Sequence, residues 1–328
     1  MQKACRTPCG SWDLTTSDKE SVEALARAAF ACAPTVFVPG ARKGASTFLF
    51  HAITSHPQVV QPLRGAHNFK ETGRYMWKTA GRPGLLGVRL AAFPFLEAHE
   101  NMMSGDGTVV YASGEWAIPY RIKRENPHAK IVFALRDPVD RAWSDYRFMW
   151  QTHPYKFGGF PEVVQQTLGK LEACFAGLID EDEQDGDGDG GSGVSERHMT
   201  GIEKYYSKCT IVKGMSLPLL REGLYFFQVL HWQSVFGAEN VMIVDSADLR
   251  DKQMETVQAV HRFLGLCPAE AQLVRDENVT GKTKIPDNMK IDAASYHQLR
   301  EFYAPFNRML YRLIGRDLGW ESNTFRGA

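Results

Sequence analysis

The sequence predicts an α/β protein with a central, mainly parallel β-sheet flanked by helices. Three observations carry that expectation. Short apolar runs at 35–38, 130–135 and 240–245 read as buried strands. Segments with apolar residues at helical spacing separate them, the alternation expected of a layered α/β sheet. The first two runs also pass directly into helical patterns through punctuated junctions, one rich in glycine and cations and one built on Asp137-Pro138.

The first junction organises the chain. Thr35-Val36-Phe37-Val38-Pro39 breaks into Gly40-Ala41-Arg42-Lys43-Gly44-Ala45-Ser46-Thr47 and continues as Phe48-Leu49-Phe50-His51-Ala52-Ile53, a buried helix by pattern. Strand, glycine-punctuated cationic loop and helix together make an anion cradle. Glycine lets the backbone approach a ligand, and the amides and dipole of a helix start favour negative charge. Arg42 and Lys43 add full charges, and Ser46 and Thr47 add hydroxyls, so phosphate or sulfate is the expected ligand. The loop is not a Walker A motif, because Lys43 precedes Gly44 and no Gly-Lys-Ser/Thr follows. An ordinary turn with two solvated cations is the alternative these residues leave open.

Composition narrows the classes. The 328 residues are 44% hydrophobic and 23% charged, enough for one large domain or two small ones. Formal net charge is +0, so no broad nucleic-acid footprint is encoded and local basic sites must carry any anion binding. The six cysteines (Cys5, Cys9, Cys32, Cys174, Cys209, Cys267) form no C-x-x-C pair; no zinc site is assigned and disulfides stay open. No apolar run reaches the roughly 18 residues of a transmembrane helix, and the N-terminus shows no signal-peptide core.

In chain order, residues 1–16 read as irregular and 17–31 as a helix capped by Ser17. His56-Pro57 ends the helix that follows the first junction. Runs at 84–90 and 108–112 read as further buried strands. At the second junction Asp137 is a good N-cap and Pro138 suits the first helical position. Val139, Ala142, Trp143, Tyr146, Met149 and Trp150 form the buried face, with Arg136, Arg141 and Ser144 off it. Arg136 thus stands at a strand's C-terminal end, where α/β sheets bind ligands. A capped helix with surface arginines is the plainer reading of the same residues.

Residues 180–196 turn sharply to Asp, Glu and Gly. Asp185, Asp187, Asp189, Gly190 and Glu196 satisfy an EF-hand spacing, but in so biased a tract a disordered acidic insertion is the preferred reading. The last third reads as helices at 219–236, 255–264 and 295–314. Between the last two, Thr280-Gly281-Lys282-Thr283-Lys284 offers a second basic rim for the anion site, or a solvated loop.

Taken together, the two junctions resemble the sulfotransferases that use 3′-phosphoadenosine 5′-phosphosulfate (PAPS), above all the carbohydrate O-sulfotransferases of heparan and chondroitin type. That family's 5′-phosphosulfate loop reads x-R-K-G-[GA]-[ST]-[ST], then a short helix and H-P; here it is Ala41-Arg42-Lys43-Gly44-Ala45-Ser46-Thr47, then His56-Pro57. Its 3′-phosphate motif, R-[DN]-P-x-[ED]-R-A-x-S-x-Y, is matched in full by residues 136–146. Arg221-Glu222-Gly223-Leu224-Tyr225 with Trp232, residues 241–249 and the closing Gly315-Arg316-Asp317-Leu318-Gly319-Trp320 are similar too. The resemblance covers 35–152 and 217–320. It implies a P-loop-like three-layer sandwich, with Lys43 on the 5′-phosphosulfate and on charge building at the departing phosphate oxygen. Arg42, Gly44, Ala45, Ser46 and Thr47 would complete that cradle, Arg136 and Ser144 would bind the 3′-phosphate, and Lys282 would add to the rim.

Sulfuryl transfer is in-line displacement that depends on positioning, charge neutralisation and a base for the acceptor's proton, with no metal required. Here the chain departs from the resemblance. The heparan-type glutamate, about nine positions after H-P, falls on Gly65. The candidates in order are Glu71, in a Lys70-Glu71 pair like the chondroitin type; His67, which titrates near neutrality; and Glu115. A surface Glu71 paired with Lys70 or Arg74 is the structural alternative. The expected organisation is a 1–33 extension with one helix, a 34–320 sulfotransferase domain carrying the acidic insertion, and a 321–328 tail. The expected activity is sulfuryl transfer from PAPS to a hydroxyl, expected on a carbohydrate, with no nucleic-acid partner and no transmembrane segment. The family implies the Golgi lumen, with the cytoplasm as alternative. A nucleotide kinase on a related fold, and a donor- or glycan-binding protein without catalysis, remain competing classes.

Overall fold

The computed structural model describes residues 34–60, 62, 70–76, 103–152, 158–176, 178, 196–209, 219–266 and 285–325. In chain order the main elements are β1 (Val36–Phe37), α1 (Ser46–Thr54), β2 (Val59–Val60), β3 (Met103–Asp106), α2 (Ile118–Glu125), β4 (Lys130–Leu135), α3 (Pro138–Thr152), α4 (Phe160–Phe175), α5 (Glu196–Glu203), α6 (Tyr225–Phe236), β5 (Val241–Asp245), α7 (Ser246–Asp251), α8 (Gln253–Leu264) and α9 (Ala293–Ile314). The chain forms two compact units, Met1–Leu135 with Val235–Glu277, and Arg136–Ser234 with Asn278–Ala328.

The first unit holds the sheet. Its described strands lie in the order β2-β3-β1-β4-β5, and every neighbouring pair is parallel. Val36 sits opposite Gly105 on one side and Lys130 on the other, and Ile131 opposite Val241. Residues 131–135 of β4 are fully buried, as expected of a parallel strand covered on both faces. Leu49, Phe50 and Ile53 of α1 and Val260 and Leu264 of α8 join Val36, Val132 and Val244 in one core. This is the parallel α/β architecture that the sequence predicts.

The second unit is helical around an aromatic core. Phe175 of α4 stacks on Phe227 of α6 (centroids 5.1 Å apart) and meets Phe306 of α9 edge-on. Asp292 caps α9 by accepting the Ser295 amide (2.7 Å), and Gly315 closes it in a left-handed conformation (φ 65°). Cys174, in the last turn of α4, is disulfide-bonded to Cys209.

Two element readings change. The 108–112 run is not a strand but a 3-10 turn at Val109–Tyr111, because the Asp106 carboxylate takes both the Thr108 amide (3.1 Å) and its hydroxyl (2.7 Å) and turns the chain. The strand there is the preceding Met-Ser-Gly-Asp of β3, which has no β-branched residue to announce it. Gly105 belongs in it because a Cβ would lie 3.0 Å from the Phe50 ring. The 219–236 helix begins only at Tyr225. Upstream, the Leu219 and Leu220 carbonyls receive the side chains of Arg141 and Tyr303, and the chain makes only the 3-10 turn Arg221–Gly223. The 17–31 helix, the 84–90 strand and the acidic tract lie outside the described residues, apart from Glu196, the first residue of α5. Among the described residues, no helix is long and apolar enough to cross a membrane.

Candidate active site

The loop between β1 and α1 is stitched to β4. The Ala41 amide donates to the Ala134 carbonyl and the Ala134 amide to the Gly40 carbonyl, each at 2.8 Å. At Gly44 a Cβ would stand 2.3 Å from the Ala134 carbonyl oxygen, a backbone atom that cannot yield, so only glycine fits. Lys43 (φ 65°) and Ala45 (φ 68°) both hold left-handed backbone, the kind of local strain that ligand-binding loops retain. Ala45 stands at the N-cap of α1, and no side chain caps that end. The helix therefore presents its first turn and the positive end of its dipole at the C-terminal edge of the sheet, an arrangement suited to a phosphate or sulfate.

Beneath this loop lies a cation that the sequence reading noticed only as the neighbour of Glu71. Lys70 is 3% exposed, and its Nζ lies 3.1 Å from Ser46 Oγ, 3.2 Å from Thr47 Oγ1 and 3.4 Å from Glu71 Oε1. Burial pulls its pKa down, against the opposing pull of Glu71 and Asp106. Gly107 makes room for its stem: a Cβ there would meet Lys70 Cγ at 2.5 Å, and the Gly107 amide donates to the Lys70 carbonyl at 2.7 Å. The nearby Asp106, fully buried, accepts from Thr72 (2.6 Å), Thr108 and Tyr111 (3.1 Å). Burial raises its pKa while those bonds lower it, leaving it raised.

The base candidates separate on this geometry. Glu71 is ion-paired to Lys70 with a third of its side chain exposed, and so stands beside the cradle. Arg74 is engaged elsewhere, at 3.0 Å from Glu125. Glu115 is held by Arg121 (2.8 Å), which also donates to the Tyr75 carbonyl (2.6 Å), so it braces a surface turn. His67, like Gly65 and Lys282, lies outside the described residues.

In the second unit α3 starts as its sequence indicates, with Asp137 Oδ1 accepting the amides of Val139 (2.9 Å) and Asp140 (3.4 Å). Its Oδ2 accepts from Arg300 (3.2 Å) and Asn323 (2.7 Å), and Arg300 also donates to the Trp320 carbonyl. Burial raises the Asp137 pKa, partly offset by the Asn323 bond. The closing Trp320, 3% exposed, packs on Tyr225 and Tyr311. Arg136 is 37% exposed at its side chain and pairs loosely with Asp140 (3.6 Å), while its carbonyl accepts the Tyr225 hydroxyl (2.9 Å). Ser144 is buried at 8% exposure.

Arg141 is not on a surface face as the helical spacing indicates; it is fully buried. It pairs with Asp145 (3.2 Å) and Glu222 (3.6 Å) and donates to the Leu219 carbonyl. The side of α3 opposite its aromatic face is covered by the 3-10 turn at Arg221–Gly223, a tertiary contact that helical spacing cannot show. Burial disfavours the guanidinium's charge, yet Asp145, Tyr225 and Glu222 together hold its pKa above the ordinary value.

Fold and loop together define an α/β protein with a strand-to-helix junction suited to an anion. Its family follows from comparison: the sulfotransferase domain matches residues 118–295, more than half of the chain, which therefore belongs to the sulfotransferase family and is a sulfotransferase. It is 23% identical over 331 residues to the membrane-associated sulfotransferase kil1 of Dictyostelium discoideum, covering 89% of this chain and 67% of that protein. It is also 23% identical over 303 residues to heparan sulfate glucosamine 3-O-sulfotransferase 5 of Mus musculus, covering 88% and 74%. A crystal structure of a sulfotransferase from Alicyclobacillus acidocaldarius shares the fold, with a TM-score of 0.55 at 22% identity over 88% of this chain and 99% of that one. The P-loop-like α/β class holds.

Proposed function

We propose that this sulfotransferase moves a sulfuryl group from PAPS to a hydroxyl of a carbohydrate. The observation that supports this reading best is the β1–α1 loop: an anion cradle with uncapped helix start, obligatory Gly44 and buried Lys70, without the residue order of an ATP-binding Walker loop. These residues fit a phosphosulfate. When bound, the donor supplies the sulfuryl group and a phosphate leaving group, and no metal is called for. Arg42 and Lys43 neutralise that charge, while Gly44, Ala45, Ser46 and Thr47 orient the group through amides and hydroxyls. Glu71 takes the acceptor's proton, with His67 the second candidate. Arg136 and Ser144 receive the 3′-phosphate, and Lys282 adds a basic rim. The carbohydrate acceptor rests on the heparan sulfate glucosamine enzyme among the relatives. Residues 34–320 form the catalytic domain, with 180–196 as an insertion. The Cys174–Cys209 disulfide favours an oxidising compartment, in keeping with the Golgi lumen.

The decisive measurement is calorimetric binding of 3′-phosphoadenosine 5′-phosphate against ADP, in the native protein and in Arg136→Ala. A charge-assisted contact to the 3′-phosphate should give a preference of roughly tenfold or more, lost in the variant. Equal affinity for both nucleotides in the native protein would overturn the donor assignment.

A further inference from the structure

We propose that Lys70 is a positioning residue for sulfuryl transfer: it fixes the Ser46 and Thr47 hydroxyls as donors toward the transferred group and anchors Glu71 beside them. The inference rests on the donor reading above and adds to it a residue outside both recognition motifs.

The argument is one of hydrogen-bond accounting. An ammonium has three N–H donors and no acceptor, and a hydroxyl has one donor and two acceptor sites. The Lys70 Nζ meets three acceptors: Ser46 Oγ at 3.1 Å, Thr47 Oγ1 at 3.2 Å and Glu71 Oε1 at 3.4 Å. Each hydroxyl oxygen is therefore occupied from the Lys70 side, and its own hydrogen must point away, to a partner that accepts. At the uncapped first turn of α1, such a partner is an anionic oxygen. Without the ammonium, either hydroxyl could rotate and present a lone pair, which repels an anion. The site around Lys70 is built to hold it in place. Its side chain is 4% exposed, Gly107 leaves space that a Cβ would take from its Cγ, and the Gly107 amide fixes its carbonyl.

The same ammonium links the loop to Glu71. In the transfer, the acceptor oxygen forms a bond to sulfur as the bond from sulfur to the phosphate oxygen breaks. The leaving phosphate keeps the electron pair and the acceptor's proton passes to the Glu71 carboxylate. Lys70 forms and breaks no bond. It holds the carboxylate at a set distance from the hydroxyls that contact the group in flight.

The test compares Lys70→Met, Lys70→Arg and Ser46→Ala/Thr47→Val, alone and combined. The first readout is calorimetric affinity for 3′-phosphoadenosine 5′-phosphosulfate. Lys70→Met should weaken it about tenfold, the worth of one charge-assisted bond, with Lys70→Arg between it and the native protein. In the Ser46→Ala/Thr47→Val background, the Lys70→Met effect should shrink to within about twofold, since its intermediaries are gone. The second is kcat at saturating donor, which should fall about tenfold in Lys70→Met as the carboxylate loses its anchor, with KM for the acceptor little changed and kcat partly restored in Lys70→Arg. Full additivity of the affinity losses together with an unchanged kcat, in a variant that unfolds at the native temperature, would overturn the proposal. If the native protein itself shows no preference for the 3′-phosphate nucleotide, the donor reading fails instead, and the two failures are thereby distinct.

Discussion

Arg141 offers a test of what the 136–146 motif is for. Its side chain is fully buried between Asp145 and Glu222, themselves 0% and 7% exposed, and it donates to the Leu219 carbonyl. Arg141→Met keeps the stem's volume and removes the charge, leaving two carboxylates and a carbonyl buried without it. Breaking a buried ion pair from one side costs about 3–5 kcal/mol, and the lost carbonyl bond adds about 1 kcal/mol. Against a typical total of about 5–15 kcal/mol, that is roughly a quarter or more of the stability. Urea unfolding followed by tryptophan emission should show it as a lower midpoint at unchanged slope. The triple variant Arg141→Met/Asp145→Leu/Glu222→Met, which removes every charge at once, should recover most of the loss. If Arg141→Met alone unfolds within about 1 kcal/mol of the native protein, the reasoning that makes Arg141 a scaffold residue is wrong.

Two further outcomes follow from buried chemistry. Replacing Cys174 and Cys209 by serine releases a loop of sequence separation 35, for which chain-entropy reasoning gives about 4 kcal/mol of lost stability; peptide mapping without reductant should recover the two cysteines linked, and two freely alkylated thiols in the native protein would refute it. His261 packs edge-on against His56 (4.9 Å), and burial, then that neighbour, hold its pKa below the ordinary 6.5. The unfolded chain then takes up the proton first, so stability is full above pH 6.5 and falls as pH drops from there through the folded value. His261→Gln should flatten that slope in thermal melts between pH 7 and pH 5, and an unchanged slope would show that His261 does not produce it.

The parts of the fold legible in the sequence are those where local pattern and tertiary demand agree. Residues 130–135 are continuous apolar because β4 is covered on both faces, and α9 shows its buried side at helical spacing because one face meets the core. β3 was illegible. Ser104 and Gly105 have poor strand character, and they pair because β1 and β2 flank them and because Phe50 needs the space a side chain would fill. The 219–224 bend was hidden for the same kind of reason. Arg141 and Tyr303, remote in sequence, donate to the Leu219 and Leu220 carbonyls at the bend, where the chain makes only a 3-10 turn.

The site was legible where chemistry sits on consecutive residues and obscure where it depends on depth. Glycine and charge order marked 40–47 as a candidate anion loop, and the close approach of Gly44 to Ala134 supplies the physical reason for that glycine. What the letters could not give is which charged residues face a ligand and which hold the scaffold. Arg136 and Arg141 stand five positions apart in one motif, yet one keeps a third of its side chain in solvent while the other neutralises buried carboxylates. Lys70 reverses the case, since a lysine in an ordinary polar stretch is the cation set beneath the loop. Burying an ammonium is costly unless its donors are satisfied, and here Ser46, Thr47 and Glu71 accept from it. A loop composed to attract anions thus rests on a buried cation. That arrangement fits sulfuryl transfer better than plain binding, because fixed donors help most when charge shifts between oxygens during the step and no time is left for the site to reorganise.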